Sequence, residues 1–167
     1  EAADYQSWDG SKGDGQGHHY GLVNQVFLRS VGQAYTEEVF VQPSVENEEL
    51  VADYTIRNSG DAARTLELVA EAVHKGTGEV EHRFDPVQVQ LGAGETADVR
   101  VQGDWADAKL WWPSLTPEDR PDLYDLRTTL REGGQVLDVH EQQFGFREVT
   151  IRGTGIYING KRWNSWG

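Results

Sequence analysis

The sequence contains no cysteine and no methionine. The first absence excludes disulfides, zinc–thiolate sites and thiol catalysis together. It leaves the compartment open, because an exported protein need not contain cysteine. The second absence extends to position 1, where Glu1 stands, and leads us to expect a segment of something longer. Cations are scarce as well: 15 Lys and Arg face 28 Asp and Glu, for a net charge of -13. A surface this acidic repels phosphate backbones and anionic bilayers, so neither nucleic acid nor membrane is an expected partner. No apolar run approaches the roughly 18 residues that would span a bilayer. There is no basic-then-apolar opening of a secretory signal. With 167 residues the chain has the size of one domain with trailing pieces. It cannot hold both a β-sandwich and a (β/α)8 barrel, since a barrel alone takes roughly 250 residues.

What is present is period-two alternation. Residues 1–21 are poor in aliphatics, and Asp9–Gly17 carries glycine at every second or third position, which makes it a loop by composition. Val26 to Val31 alternates and predicts a strand broken by Gly32. Tyr35 to Val41 predicts a second, stopped by Pro43. Leu50, Ala52, Tyr54 and Ile56 alternate with Val51, Asp53, Thr55 and Arg57, the pattern of a half-buried strand. Leu66, Leu68, Ala70 and Ala72 continue it. A helix over Ala62–Lys75 is possible on propensity, but the strongly alternating neighbours favour a strand. Val87, Val89 and Leu91 form the next strand, and Val99 and Val101 another, closed by Gly103. Asp104–Pro121 holds Trp105, Trp111, Trp112 and three prolines and cannot be a regular central strand. Tyr124, Leu126, Thr128 and Leu130 resume the alternation, Gly133-Gly134 is a hairpin turn, and Val136 to Phe146 is a long final strand. Short strands with turn signals every 8–12 residues, and no clear helix, predict an all-β, antiparallel β-sandwich.

Five motifs occur in order: Leu110-Trp111-Trp112-Pro113, Pro121–Leu126, Asp138, Phe144-Gly145-Phe146-Arg147-Glu148 and Ile156–Lys161. Upstream of them stand Gly21–Leu28 and Tyr35–Val41. As an ordered set they resemble the immunoglobulin-like sandwich domain of glycoside hydrolase family 2, which includes β-galactosidases, β-glucuronidases and β-mannosidases. The resemblance covers roughly residues 20–161. It implies three parts: residues 1–34 as the tail of a preceding jelly-roll-like sugar-binding domain or an extension, 35–147 as the sandwich, and 148–167 as a hairpin or linker leading toward a catalytic barrel. The family's two catalytic glutamates lie on that barrel, so the resemblance implies no catalytic residue in this chain. The parent would be a retaining hydrolase of terminal β-glycosidic bonds that needs no cofactor. Phe144, Phe146, Arg147 and Asn159 would mark the domain junction. The doubled Trp before Pro113 leans toward the β-mannosidase-like and related branches. The family pattern differs at Val23-Asn24, where a Trp is usual, and after Lys161, where an apolar strand is usual.

Each candidate for chemistry has a plainer reading. A retaining glycosidase needs two carboxyl groups about 5–5.5 Å apart, and the family's acid/base sits in an Asn-Glu pair. Asn47-Glu48 is such a pair, but it falls in a turn before a sandwich strand, so we read it as coincidence. The remaining carboxylates read as a solvated face. His18-His19 could ligate a metal, yet consecutive residues of an extended chain point apart, so no metal site is expected. Asp9–Gly17 lacks the alternating oxygen ligands and closing Glu of a calcium loop. Trp105, Trp111, Trp112, Trp163 and Trp166 could stack on sugars. For Trp111 and Trp112, the candidate carbohydrate contacts, the plainer reading packs one into the sandwich and the other against a neighbouring domain. Arg147 is expected to anchor the junction through its guanidinium. Two functions follow. One is a non-catalytic sandwich module that spaces the jelly roll and barrel of a glycoside hydrolase. The other is an independent carbohydrate-binding or adhesion module that uses surface tryptophans.

Overall fold

The structure, a computed structural model, describes residues 28–113 and 121–163. The chain divides into two compact units, Glu1–Ser30 and Val31–Gly167. The glycine loop, His18-His19 and Trp166 lie outside the described residues. Residues 28–30 are the described part of the first unit. They form no strand, and Leu28 is fully exposed. The strand expected over 26–31 is therefore absent where it can be seen.

The second unit is all-β among the described residues. Its strands are β1 (Ala34–Ser44), β2 (Glu49–Asn58), β3 (Arg64–His74), β4 (Val80–Arg83), β5 (Val87–Leu91), β6 (Thr96–Asp104), β7 (Tyr124–Glu132), β8 (Gln135–Phe144), β9 (Val149–Arg152), β10 (Gly155–Ile158) and β11 (Lys161–Trp163). One sheet runs β1-β2-β6. The other runs β4-β3-β7-β8, with β5 sharing the edge of β3 with β4. Every strand pairing is antiparallel. The chain crosses between the sheets after β2, after β5 and again after β6, giving the Greek-key connections of an immunoglobulin-like sandwich.

The alternating residues form the core. Leu50, Ala52, Tyr54 and Ile56 from β2, Leu66, Leu68, Ala70 and Ala72 from β3, and Tyr124, Leu126 and Leu130 from β7 are all buried. Thr128, at the remaining inward position of β7, donates through Oγ1 to the Tyr54 hydroxyl at 3.1 Å. That bond satisfies two polar groups in the core. Burial pushes the Tyr54 hydroxyl up to about 12. The helix-like composition of 62–75 loses to tertiary context, since β3 is paired along both edges and its burial has period two.

Three expected boundaries move. β1 continues through Pro43, which pairs with Leu50. Proline is tolerated there because β1 is an edge strand and its outer N–H is not needed by a neighbour. Gly103 does not close β6 but lies within it. A Cβ at this position would stand 2.9 Å from the Phe84 ring, so the glycine serves close packing. β8 ends at Phe144, and Phe146 makes only an isolated parallel bridge with Leu110.

At one end the core is aromatic. Buried Trp105 meets Tyr124 at 4.9 Å and Phe146 at 5.4 Å, both edge-on, and His82 stacks on it at 5.0 Å. The Tyr124 hydroxyl accepts from the Lys109 backbone N–H and donates to Glu81, both at 2.9 Å. A tyrosine at the start of this strand, bonding back to the preceding loop, is analogous to the tyrosine corner of such sandwiches. It fixes the irregular segment 105–113 without a strand ladder.

Candidate functional site

The motif residues, far apart in sequence, meet beyond the aromatic end of the sandwich. Gly145 lets Trp111 lie against the chain between Phe144 and Phe146. A Cβ there would come within 2.8 Å of Trp111 Cβ, Cγ and Cδ1. The Trp111 N–H donates to the Phe146 carbonyl at 2.9 Å, and the Arg147 guanidinium covers the Trp111 ring at 4.5 Å from its centroid. Phe144 and Phe146 are buried, and Arg147 is exposed.

Asn159 joins this group to the last strands. With Gly160 it forms the two-residue turn between β10 and β11. Both residues take positive φ, 50° and 74°, as a type I′ turn requires. Its side chain is buried and doubly used. Oδ1 accepts from the Glu148 N–H and Nδ2 donates to the Trp111 carbonyl, each at 2.9 Å. The Asn159 N–H in turn donates to the Glu148 carbonyl at 2.8 Å. The Glu148 carboxylate then caps the β1–β2 turn, accepting the N–H groups of Val45 at 2.9 Å and Glu46 at 3.0 Å. A charge-assisted carboxylate acceptor is among the stronger hydrogen-bonding groups available. Sandwich, loop and hairpin are thus pinned at one point.

The pinned element is the three-stranded sheet β9-β10-β11. Its register places Ile151 opposite Ile156, Ile156 opposite Trp163, and Val149 and Lys161 opposite Ile158. Directly paired residues share a face. One face therefore carries Val149, Ile151, Ile156, Ile158 and Trp163 with Lys161, and the other carries Thr150, Arg152, Tyr157 and Arg162. The apolar face is open: Ile151 is 76 % exposed and Ile156 46 %.

Trp111 and Trp112 do not form a shared open platform. Each is half-buried and carries a cation over its ring, Arg147 on Trp111 and Lys161, at 4.9 Å, on Trp112. Asn47-Glu48 lies in the β1–β2 turn, where Glu48 has φ 55° and its carbonyl accepts from the Trp105 N–H. Among the described residues no group of three or more His, Asp or Glu is arranged to hold a metal.

Three participants escaped the sequence reading in their actual roles. Glu148 carried no role there, and only the fold brings the β1–β2 turn to it. Gly145 was part of a motif, with no reason given for a glycine. The Asn159-Gly160 pair is a family mark in the sequence, and between Ile156–Ile158 and Lys161–Trp163 it is also a hairpin signal.

Comparison with known proteins bears on the fold and the family. The family model for glycosyl hydrolases family 2 matches residues 34–147. Human β-glucuronidase is 28 % identical over 148 residues, covering 86 % of this chain and 20 % of that enzyme. Cat β-glucuronidase is 27 % identical over 152 residues, with the same coverage. The chain thus spans about a fifth of the length of the curated relatives it matches. Among solved structures, a Bacteroides uniformis β-glucuronidase superposes with a TM-score of 0.64 at 27 % identity, covering 78 % of this chain and 16 % of that one. A family 2 β-galacturonidase from Eisenbergiella tayi gives 0.66 at 21 % identity, covering 79 % and 22 %, a likeness of fold. With its sandwich matched from the first strand to Arg147, the chain belongs to glycosyl hydrolases family 2.

Proposed function

We propose that this chain is a non-catalytic module of a longer family 2 glycoside hydrolase, and that it presents its C-terminal sheet to the catalytic part. The observation that carries this reading is the open apolar face of β9-β10-β11, held rigidly by Asn159, Glu148 and Trp111. An exposed apolar face on a pinned element marks a surface built to be covered. Phe144, Phe146, Arg147 and Asn159 act as the junction, Arg147 by clamping the Trp111 ring. The parent hydrolyses terminal β-glycosidic bonds with retention, using carboxylates outside this chain. Asp53, on the outer face of β2 and hydrogen-bonded by Arg100 and Gln42, is unsuited to acid catalysis. Its hydrogen bonds from Arg100 hold its carboxyl below the usual range, whereas a catalytic acid needs a raised one.

The test uses two forms. The 167-residue chain should not turn over 4-nitrophenyl β-glucuronide, β-galactoside or β-mannoside. Ile151→Asp with Ile156→Lys should leave its melting temperature unchanged, since both side chains are exposed and the new charges on this directly opposed pair are of opposite sign. The same pair of changes in the full-length polypeptide should abolish activity or assembly. Full activity in that double variant would defeat the proposal, as would turnover by the short chain.

A further inference from the structure

Outside the junction, the outer face of β1-β2-β6 has no part in the proposed framework role. Its register sets residues in rows across the three strands: Glu38, Thr55 and Asp98, then Phe40, Asp53 and Arg100, then Gln42, Val51 and Gln102. Phe40 is 63 % exposed. It borders a shallow cavity of about 470 Å³, also lined by Glu38, Asp53, Thr55, Asp98 and Arg100. The polar groups around the ring are ordered by one another. Arg100 reaches Asp53 through Nε at 2.7 Å and Nη2 at 3.0 Å, Gln42 Nε2 donates to Asp53 at 2.7 Å, and Thr55 Oγ1 donates to Asp98 at 3.1 Å.

We infer that this face is a binding platform for a neutral, β-linked oligosaccharide chain, with Phe40 as the stacking ring. The apolar face of a pyranose lies flat on an aromatic ring, which offers rigid area at small entropic cost. Its equatorial hydroxyls then reach sideways to carboxylate acceptors and guanidinium donors. Two of the five guanidinium N–H groups of Arg100 are taken by Asp53, which leaves three to donate. Adjacent strands lie roughly 4.8 Å apart, so a ring on Phe40 brings its hydroxyls over Asp53 and Arg100, with Thr55 and Asp98 on the diagonal. Openness favours an extended, flat chain over a monosaccharide enclosed in a pocket. Glu38, Asp53 and Asp98 outnumber Arg100, so the charge excludes a polyuronate. A protein partner fits less well, because interface centres are depleted in charge and here the Asp53–Arg100 ion pair occupies the centre. The site is independent of the framework reading.

The experiment is titration of the folded chain with cellohexaose, xylohexaose and, as the acidic contrast, a hexagalacturonate, followed by calorimetry and by NMR shifts. We expect a neutral oligosaccharide to bind with a Kd on the order of 1 mM, about 4 kcal/mol, with shifts confined to β1, β2 and β6. Phe40→Ala should weaken it at least tenfold without lowering the melting temperature, and Phe40→Trp should retain or tighten it. No binding by either neutral chain at ~10 mM, an order above the expected Kd, would overturn the inference. So would equal binding by Phe40→Ala, tighter binding of the hexagalacturonate, or a dimer that buries Phe40 and dissociates on Phe40→Asp.

Discussion

Replacing Gly145 by alanine adds a single methyl group, and the structure says where it goes. The new Cβ would lie 2.8 Å from three atoms of Trp111, well inside ordinary contact. Trp111 has little freedom to withdraw. Its N–H is bonded to Phe146, its carbonyl accepts from Asn159, and its ring sits under Arg147. Overpacking of this kind costs about 1–3 kcal/mol. A shift of Trp111 would also stretch the Asn159 bond, and a buried polar group left unpaired costs about 1–3 kcal/mol. The expected loss is about 2–4 kcal/mol, or roughly 6–15 °C in melting temperature for a folded unit of this size. Urea unfolding monitored by tryptophan fluorescence measures it. Gly32→Ala is the control: its Cβ would meet nothing nearer than 3.6 Å, and the change should stay within about 0.5 kcal/mol. In a Trp111→Ala background two of the three close atoms are gone, so the cost of Gly145→Ala should shrink, an interaction that a double-mutant cycle reads directly. If Gly145→Ala were as stable as the parent chain, the close approach of Trp111 to the Phe144–Phe146 backbone would be wrong, and with it the junction built on that contact.

Asn159→Gly separates the two jobs of that residue. Glycine keeps the positive φ of the turn but loses both side-chain bonds, so amides of β9–β11 should exchange faster by the equivalent of about 1–3 kcal/mol while those of β2, β3 and β7 do not change; unchanged exchange would show that the turn alone holds the hairpin. The raised Tyr54 hydroxyl makes a pH prediction. Because the folded value, about 12, lies above the ordinary value of 10.0, its stabilisation is fully present below pH 10 and is lost as pH rises from 10 through 12. Two pH units correspond to about 3 kcal/mol. Tyr54→Phe should flatten that slope in part, since Tyr124 is also pushed up, chiefly by burial. An identical slope in the variant would place the titration elsewhere.

Much of the sandwich could be read from the chain alone. Leu50 to Ile56, Leu66 to Ala72 and Tyr124 to Leu130 alternate because each strand has one face in the core, and a period of two follows from the pleat itself. Gly133-Gly134 announced its hairpin because both residues must take positive φ, and they do, at 57° and 84°. The acidic balance, the missing cysteine and the ordered motifs likewise narrowed fold and family without coordinates. Pairing could not be read. That β5 and β4 share one edge of β3, that Pro43 stays within an edge strand, and that Phe146 lies beyond the end of β8 are set by which neighbours arrive, a matter of long-range contacts. The cluster around Trp111 is the strongest case. Trp111, Gly145, Glu148 and Asn159 are ordinary residues in sequence. They become one structure only when the β6–β7 loop, the end of β8 and the last hairpin are folded to the same point, where a missing Cβ and a buried amide have geometric meaning.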